Sequence, residues 1–175
     1  MSAVSQPTID PKILRGAFSL FPSGVAALAA IVGEQKHVLL ASSFTVGASL
    51  DPPLVAFFVQ KSSSTWPSLS QAKRIGVSVL SIDHAHQCRQ LSGRDKSTRF
   101  DGIKTGATTT GAIRIEGAAV WFECSVFDAY AAGDHDVVLL LVHHLQIEEE
   151  AAPLIFHGSR FTQLAVAPTA ALMAR

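Results

Sequence analysis

The apolar residues of this chain fall into short runs separated by turn residues, which is the pattern of successive β-strands. Val25–Val32 is apolar throughout and ends at the polar turn 33–36, after which His37–Phe44 forms a second run. These two segments are predicted to pair as a hairpin. Further strands are predicted over 54–60, 76–81, 120–130 and 136–147, and a short one within 153–163.

Three shorter segments carry helical patterns. Residues 12–21 place apolar side chains three and four positions apart, which predicts a short amphipathic helix. A second helix is predicted to start at Trp66, after the hydroxyl-rich run Ser62–Thr65, and a third over 85–91. Because short turns join successive strands, antiparallel pairing should predominate, and a closed barrel is favoured over a parallel sheet. The sequence therefore predicts a mainly β fold, an antiparallel β-barrel with a few flanking short helices.

Composition narrows the class of protein. The chain has 175 residues, of which 48% are hydrophobic and 16% charged, with 14 Lys+Arg against 14 Asp+Glu. This length favours one domain, and the high apolar content excludes a disordered chain. Zero net charge and the absence of any basic run longer than two residues argue against nucleic acid as a partner.

The same composition bears on location and on metal chemistry. No apolar stretch approaches the roughly 20 residues that span a bilayer, and residues 1–12 lack the layout of a signal peptide, so we expect a soluble, cytoplasmic protein without a membrane partner. Cys88 and Cys124 form no CxxC pair and are expected to be buried free thiols. The histidines show no metal-binding spacing, so no metal site is predicted. The surplus of apolar residues predicts an oligomer interface, a ligand site or both.

Three polar segments are candidates for chemistry. Ser42, Ser43 and Thr45 place hydroxyl groups at a strand end, which suits a planar polar heterocycle or is an ordinary serine-rich loop. The run 61–65 combines an ammonium group, four hydroxyls and a helix start, which suits an anion or is a plain helix cap beside a solvated lysine. The Gly-Asp-His turn at 133–135 either places a titratable group at a barrel rim or simply exposes a histidine.

In their order along the chain, these segments resemble the motifs of the flavin reductase-like family. That family is the reductase component of two-component monooxygenases and is built on the flavin-binding split barrel. Each motif is weak alone, but the ordered set is specific. The matching pieces are 21–25, 42–44, 49–54, 61–66, 77–80, 99–100, 123–124, 133–135 and 153–154. The resemblance implies a split-barrel domain over 12–164, between an N-terminal extension (1–11) and a frayed C-terminal tail (165–175).

Site residues are implied by the same resemblance, position by position. The flavin ring and ribityl chain should lie beside the end of the first hairpin and the following strand, and the flavin phosphate beside the loop after that strand. The implied flavin contacts are Leu39, Leu40, Ala41, Ser42, Ser43, Ser49, Phe58, Val59, Gln60, Lys61, Ser64, Thr65, Gln90, Leu91 and Phe100. The implied NAD(P)H contacts are Asp134, His135, Phe156 and His157.

The function implied by the resemblance is that of an NAD(P)H:flavin oxidoreductase. It would be a homodimer that reduces FMN or FAD with NADH or NADPH and supplies reduced flavin to a partner monooxygenase. Because hydride transfer belongs to the two cofactors, no residue is required for proton transfer, and His135 is expected to orient the nicotinamide. Two alternatives stay open. One is a flavoprotein that retains its flavin and reduces an organic or metal-organic substrate, and the other is a non-catalytic flavin-binding module.

Overall fold

Twelve strands and three short α-helices occur within residues 9–165, the part of the chain that the computed structural model describes. The strands are β1 (Ser23–Gly24), β2 (Ala26–Val32), β3 (Gln35–Ala41), β4 (Thr45–Leu50), β5 (Pro53–Gln60), β6 (Ile75–Val79), β7 (Thr105–Ala107), β8 (Ile113–Ile115), β9 (Val120–Ala132), β10 (His135–Ile147), β11 (Ile155–His157) and β12 (Arg160–Thr162). The helices are α1 (Pro11–Ser19), α2 (Trp66–Leu69) and α3 (Cys88–Leu91), with a 3-10 turn at Ile82–His84. Most of the predicted N-terminal extension (1–8) and most of the predicted tail (166–175) lie outside the described residues.

Antiparallel pairing organises the main sheet. Its seven strands follow the order β3-β2-β6-β9-β10-β5-β4, while β1-β11-β12 and β7-β8 form two smaller sheets. Every paired neighbour is antiparallel, which confirms the prediction of a mainly β, antiparallel fold with short flanking helices. Ladders between the described strands leave β3 and β4 as edges, so they do not close this sheet into a barrel.

The main sheet nevertheless curves around one set of buried side chains, the central core. This core combines residues from β3 and β2 at one side of the sheet with residues from β5 and β10 at the other. Its members are Ala26, Leu28, Ala30, Ala41, Val55, Phe57, Val59, Leu69, Ile75, Val77, Cys124, Val138 and Leu140. Helix α2 covers one end of it, because Leu69 is fully buried there and the Trp66 ring packs edge-on against Phe57 at 5.1 Å between centroids.

Strand β2 is apolar throughout because both of its faces are buried. Ala26, Leu28 and Ala30 point into the central core, while Ala27 and Ala29 point into a second cluster, the outer core. Its members are Val25, Ala27, Ala29, Val38, Leu80, Cys88, Leu91, Ile103, Ile113, Ile115 and Leu154. The outer core fills the space between the main sheet, α3 and β8. Both predicted free thiols are confirmed as buried, Cys124 in the central core and Cys88 in the outer core.

Several elements differ from the sequence-based prediction. Residues 45–50 form strand β4, which pairs with β5, although the sequence predicts a strand only over 54–60. Gly47 has a positive φ, and the pairing register shifts beside it. The apolar and polar residues of β4 therefore do not alternate regularly. The predicted single strand within 153–163 is the hairpin β11-β12, which turns at Gly158. Of the predicted helix 85–91, only the single helical turn α3 (Cys88–Leu91) is present, and the 3-10 turn Ile82–His84 precedes it.

Helix α1 confirms the predicted amphipathic helix but does not bury its apolar face within this chain. Asp10 caps its first turn by accepting a hydrogen bond from the Lys12 main-chain N–H at 2.7 Å. Ile13 and Phe18 are 67% and 66% exposed, and none of the helix residues is buried. No helix within the described residues combines the length and apolarity needed to cross a membrane.

Candidate functional site

A cleft of about 790 Å³ lies where the carboxyl end of β3 meets β5, α1 and β11. Four residues predicted from the sequence share this cleft: Ser42, Ser43, Phe58 and Phe156. Its other lining residues are Arg15, Phe18, Ser19, Phe21, Pro22, Ser23, Gly24, Phe44, Thr45 and Ser159. Hydroxyl groups and phenyl rings therefore both line the cleft, a surface that suits a planar, polar heterocycle.

The two adjacent serines of the cleft have different roles. Ser43 bridges the end of β3 to β5, because its hydroxyl donates to the Phe58 carbonyl at 2.9 Å and accepts from the Phe58 N–H at 3.1 Å. This side chain holds the two sides of the curved sheet together next to the cleft. Ser42 is exposed at the cleft wall, so its hydroxyl is accessible to a ligand.

A cationic corner lies alongside the middle of β3. The Arg99 guanidinium donates to the Val38 carbonyl at 2.8 Å and to the Thr65 hydroxyl at 3.1 Å. Partial burial lowers the pKa of Arg99 from its ordinary value, yet a guanidinium this basic stays protonated at neutral pH. Lys96 extends the corner by donating from its ammonium group to the Ser64 carbonyl at 2.6 Å. The loop 64–65, predicted as a phosphate site, thus lies beside two cations.

Lys61, predicted as a flavin contact together with Ser64 and Thr65, lies apart from this corner. Its ammonium group donates to the Gly133 carbonyl at 2.7 Å and lies 3.9 Å from the Asp136 carboxylate. At the start of α2 the Ser63 hydroxyl accepts from the Trp66 N–H at 3.2 Å, as in the helix-cap alternative for this run.

The Gly-Asp-His turn is joined to β5 by two hydrogen bonds. Besides the Lys61 side-chain bond, the Lys61 N–H donates to the Asp134 carbonyl at 3.0 Å. Within the turn, Asp134 Oδ1 lies 2.7 Å from His135 Nδ1, and this hydrogen bond lowers the pKa of the Asp134 carboxyl. With Nδ1 engaged, Nε2 is the ring nitrogen of His135 that can face a ligand.

Strand register relates this turn to the cleft. His135 is the direct partner of Gln60 across the β5-β10 ladder, and Phe58 is the partner of Val137. Paired residues project from the same face of an antiparallel sheet, so the His135 imidazole lies on the face that carries Phe58, two ladder pairs further along.

The remaining predicted residues occupy other positions. Leu91 is fully buried in the outer core, which corrects the expectation that it lines the site. Gln90 bonds to main-chain carbonyls instead, among them that of Asp101 at 2.6 Å, and so holds the loop that carries Arg99. Ser49 pairs with Leu54, two pairs along from the end of the cleft.

Seven further predicted residues do not line the cleft. Ala41 and Val59 point into the central core, whereas Leu39 and Leu40 are half-buried against the central and outer cores. Gln60 and His157 are exposed at the ends of β5 and β11. Phe100 is half-buried beside Lys36, whose Nζ lies 5.6 Å from the ring centroid.

Three cations of the site, Arg15, Lys96 and Arg99, are absent from the predicted contacts. Arg99 and Lys96 belong to the polar loop 94–100, and polar composition alone does not predict which residues the loop contacts. Arg15 lies on the polar side of the predicted helix. Such a side is expected to face solvent, so the sequence does not predict that Arg15 lines a ligand site. In the structure Arg15 lines the cleft together with Phe18 of the apolar side, and both side chains are exposed.

Comparison with known proteins agrees with this geometry. The family model of the flavin reductase-like domain matches residues 18–165. The flavin reductase of Pseudomonas putida is 32% identical over 154 residues, which are 88% of this chain and 90% of that protein. The reductase component of 4-hydroxyphenylacetate 3-monooxygenase from Thermus thermophilus is 32% identical over 148 residues, 85% of this chain and 93% of that one.

A solved structure is similar over the same range. The NADH:FAD oxidoreductase of Streptomyces globisporus, determined in complex with NAD and FAD fragments, superposes with a TM-score of 0.82 at 30% identity and covers 92% of this chain and 98% of its own. With the ordered motifs, the cleft at the end of β3 and these relatives in agreement, the chain belongs to the flavin reductase-like family.

Proposed function

We propose that this protein is an NAD(P)H-dependent flavin reductase that supplies reduced flavin to a partner monooxygenase. The observation that carries the proposal is that the cleft at the end of β3 and the cationic corner of Thr65 and Arg99 lie along the same strand. A flavin requires these two environments, one for a planar ring with polar edges and one for a phosphate. The flavin reductases and monooxygenase reductase components among its relatives support the same activity.

The residues present fit a flavin along β3. The ring would lie in the cleft between Ser42 and the partly exposed Phe58, and the phosphate beside Arg99, Lys96 and the Thr65 hydroxyl. Arg99 is already fixed by two carbonyls and a hydroxyl, so binding a phosphate there costs little side-chain entropy.

The chemistry of the reaction comes from the bound cofactors, since a flavin accepts a hydride directly from a reduced nicotinamide. The protein therefore acts by holding two planar rings face to face and excluding water. Phe58 and Phe156 provide apolar walls for that purpose. His135 orients the nicotinamide through Nε2, while Asp134 fixes the imidazole through Nδ1.

Assembly follows from the exposed apolar surface. We propose that the chain is a cytoplasmic homodimer of split-barrel subunits, in which the partner subunit covers the apolar face of α1. The Ser43–Phe58 bridge supports the split-barrel description, because it joins β3 to β5 where no ladder does so among the described strands. Ile13, Phe18 and Leu20 are each about two-thirds exposed, and monomeric proteins rarely leave so many large apolar side chains of one segment in water.

Purified protein tests the proposal through NADH and NADPH oxidation measured with and without added flavin. A colourless protein whose oxidation of the nicotinamide depends on added flavin supports a reductase that releases its product. A yellow protein that turns over with another acceptor would instead support the flavoprotein that retains its flavin. Flavin binding with no oxidation of either nucleotide would identify a non-catalytic module and overturn the proposal.

A further inference from the structure

A second cavity, of about 620 Å³, lies at the opposite end of β3 from the cleft. The amino-terminal residues of this strand form one wall, and the loop 96–101 forms the other. The lining residues are Gln35, Lys36, His37, Lys96, Ser97, Phe100 and Asp101. Apart from Lys96, which also borders the cationic corner, its lining residues are not part of the ring and phosphate sites described above.

Strand geometry places three environments in a row. At about 3.3 Å per residue, Ser42 at the cleft lies about 13 Å along the chain from Val38, where Arg99 binds the carbonyl. A further 10 Å or so along the same strand leads from Val38 to Gln35, which lines the second cavity. A ligand that follows β3 from the cleft thus passes the cationic corner before it reaches this cavity.

The cavity has the chemistry of a nucleotide site. Lys36 and Lys96 provide ammonium groups for a phosphate, and Lys96 already reaches the loop beside the cationic corner through the Ser64 carbonyl. Phe100 offers an aromatic ring that is held in place because it packs against the outer core. Asp101 adds a carboxylate that can accept hydrogen bonds from ribose hydroxyls or an amino group.

Resting on the proposed function, we infer that this cavity binds the adenosine monophosphate half of FAD, so that the protein prefers FAD to FMN. FMN ends at the phosphate that Arg99 and Thr65 would hold, and nothing in it extends to Phe100. FAD continues from that phosphate into a second phosphate, a ribose and an adenine, which match the ammonium groups, the carboxylate and the aromatic ring in turn.

Lys36 lines only the cavity that would hold the second half of FAD, so its replacement tests this half separately from the first. Its ammonium group lies 5.6 Å from the Phe100 ring centroid and donates to the Thr105 hydroxyl at 3.3 Å, so it is tethered at the cavity mouth. It has no part in the cleft or in the corner of Thr65 and Arg99. Replacing Lys36 should therefore leave FMN binding intact.

The test is equilibrium binding of FAD, FMN and NAD⁺, each titrated alone against the full-length protein by calorimetry, without turnover. We expect FAD to bind at least about tenfold more tightly than FMN. Lys36→Met and Phe100→Leu should each weaken FAD binding by about fivefold to twentyfold and leave FMN and NAD⁺ binding within about twofold. Leucine retains most of the packing against the outer core, and Lys73→Met, at an exposed lysine outside both cavities, is the matched control.

Equal affinities for FAD and FMN would overturn the inference, as would an equal loss of both flavins in Lys36→Met. A selective loss of NAD⁺ binding would also overturn it, since the adenosine pocket would then belong to the nicotinamide nucleotide. These outcomes leave the proposed function intact if NAD(P)H is still oxidised with added FMN. If neither flavin binds, the proposed function fails together with the inference.

Discussion

Lys61 donates a hydrogen bond from its ammonium group to the Gly133 carbonyl at 2.7 Å. The bond connects the end of β5, which leads into the loop 62–65, to the Gly-Asp-His turn that carries His135. The two segments lie 72 positions apart in the sequence, where they form separate candidate sites. In the folded protein, the position of the predicted nicotinamide residue depends on the strand that also borders the flavin cleft.

Lys61→Met should therefore impair use of NAD(P)H more than binding of flavin. Loss of the Gly133 bond frees the turn, and we expect the KM for NADH to rise about threefold to tenfold, a modest effect because the ammonium group is about half exposed. Steady-state kinetics at saturating flavin measure the KM, and fluorescence titration measures the flavin dissociation constant.

His135→Ala provides the comparison, because it removes the group that Lys61 helps to position. It should raise the same KM with little change in flavin affinity, and the double variant should add little to His135→Ala alone. Weaker flavin binding in Lys61→Met with an unchanged KM would restore Lys61 as a flavin contact and contradict the assignment.

Ser42 and Ser43 differ in function although they are adjacent and chemically identical. Ser43→Ala removes both hydrogen bonds to Phe58 and should lower the free energy of unfolding by about 1–2 kcal/mol, measured by urea denaturation. Ser42→Ala, at an exposed hydroxyl of the cleft wall, should leave stability unchanged and weaken flavin binding about threefold to tenfold. Equal stabilities of the two variants would show that the Ser43 bridge does not hold the sheet.

The parts of the fold that sequence analysis predicted are those governed by local pattern. The run Val25–Val32 is apolar because β2 is buried on both faces, so the strand and its hairpin could be predicted correctly. β4 could not, because Gly47 and a shifted register interrupt its alternation.

The residues of the candidate site also fall into two groups, those that a local sequence pattern predicts and those that it does not. Ser42 and Phe58 belong to recognisable motifs, whereas Arg15 depends on how α1 packs against the rest of the molecule. The role of Lys61 likewise depends on a turn far along the chain. Contacts of this kind arise from tertiary structure and leave no local signal.

Gly76 is required where β8 crosses the face of β6. A Cβ atom at this position would overlap the Ile113 carbonyl oxygen and lie 2.7 Å from Trp121 Nε1, and both groups are fixed in the protein interior. Gly76→Ala should therefore lower the free energy of unfolding by about 3 kcal/mol, with a matching fall in Tm by calorimetry. Gly16→Ala is the control, because nothing lies within 4 Å of its Cβ and alanine favours the helix α1. A Tm for Gly76→Ala equal to that of the control would mean that β8 moves aside at no cost.

Burial of the two thiols predicts how stability depends on alkaline pH. Burial raises the pKa of Cys88 from 9.0 to about 11, and burial together with the Glu123 carboxylate raises that of Cys124 to about 12. Above pH 9 the unfolded chain loses these protons while the folded chain keeps them, so their contribution is complete below pH 9 and is lost as the pH rises through about 11 to 12. Tm measured from pH 8 upward should fall over this window, and Cys88→Ala should make the fall shallower even if it lowers Tm at pH 8.

The burial of Cys88 and Cys124 also predicts that a thiol reagent labels neither cysteine of the folded protein at pH 8 and labels both in denaturant. Rapid labelling of Cys88 in the folded protein would show that the outer core opens to solvent and that its thiol is not protected as described.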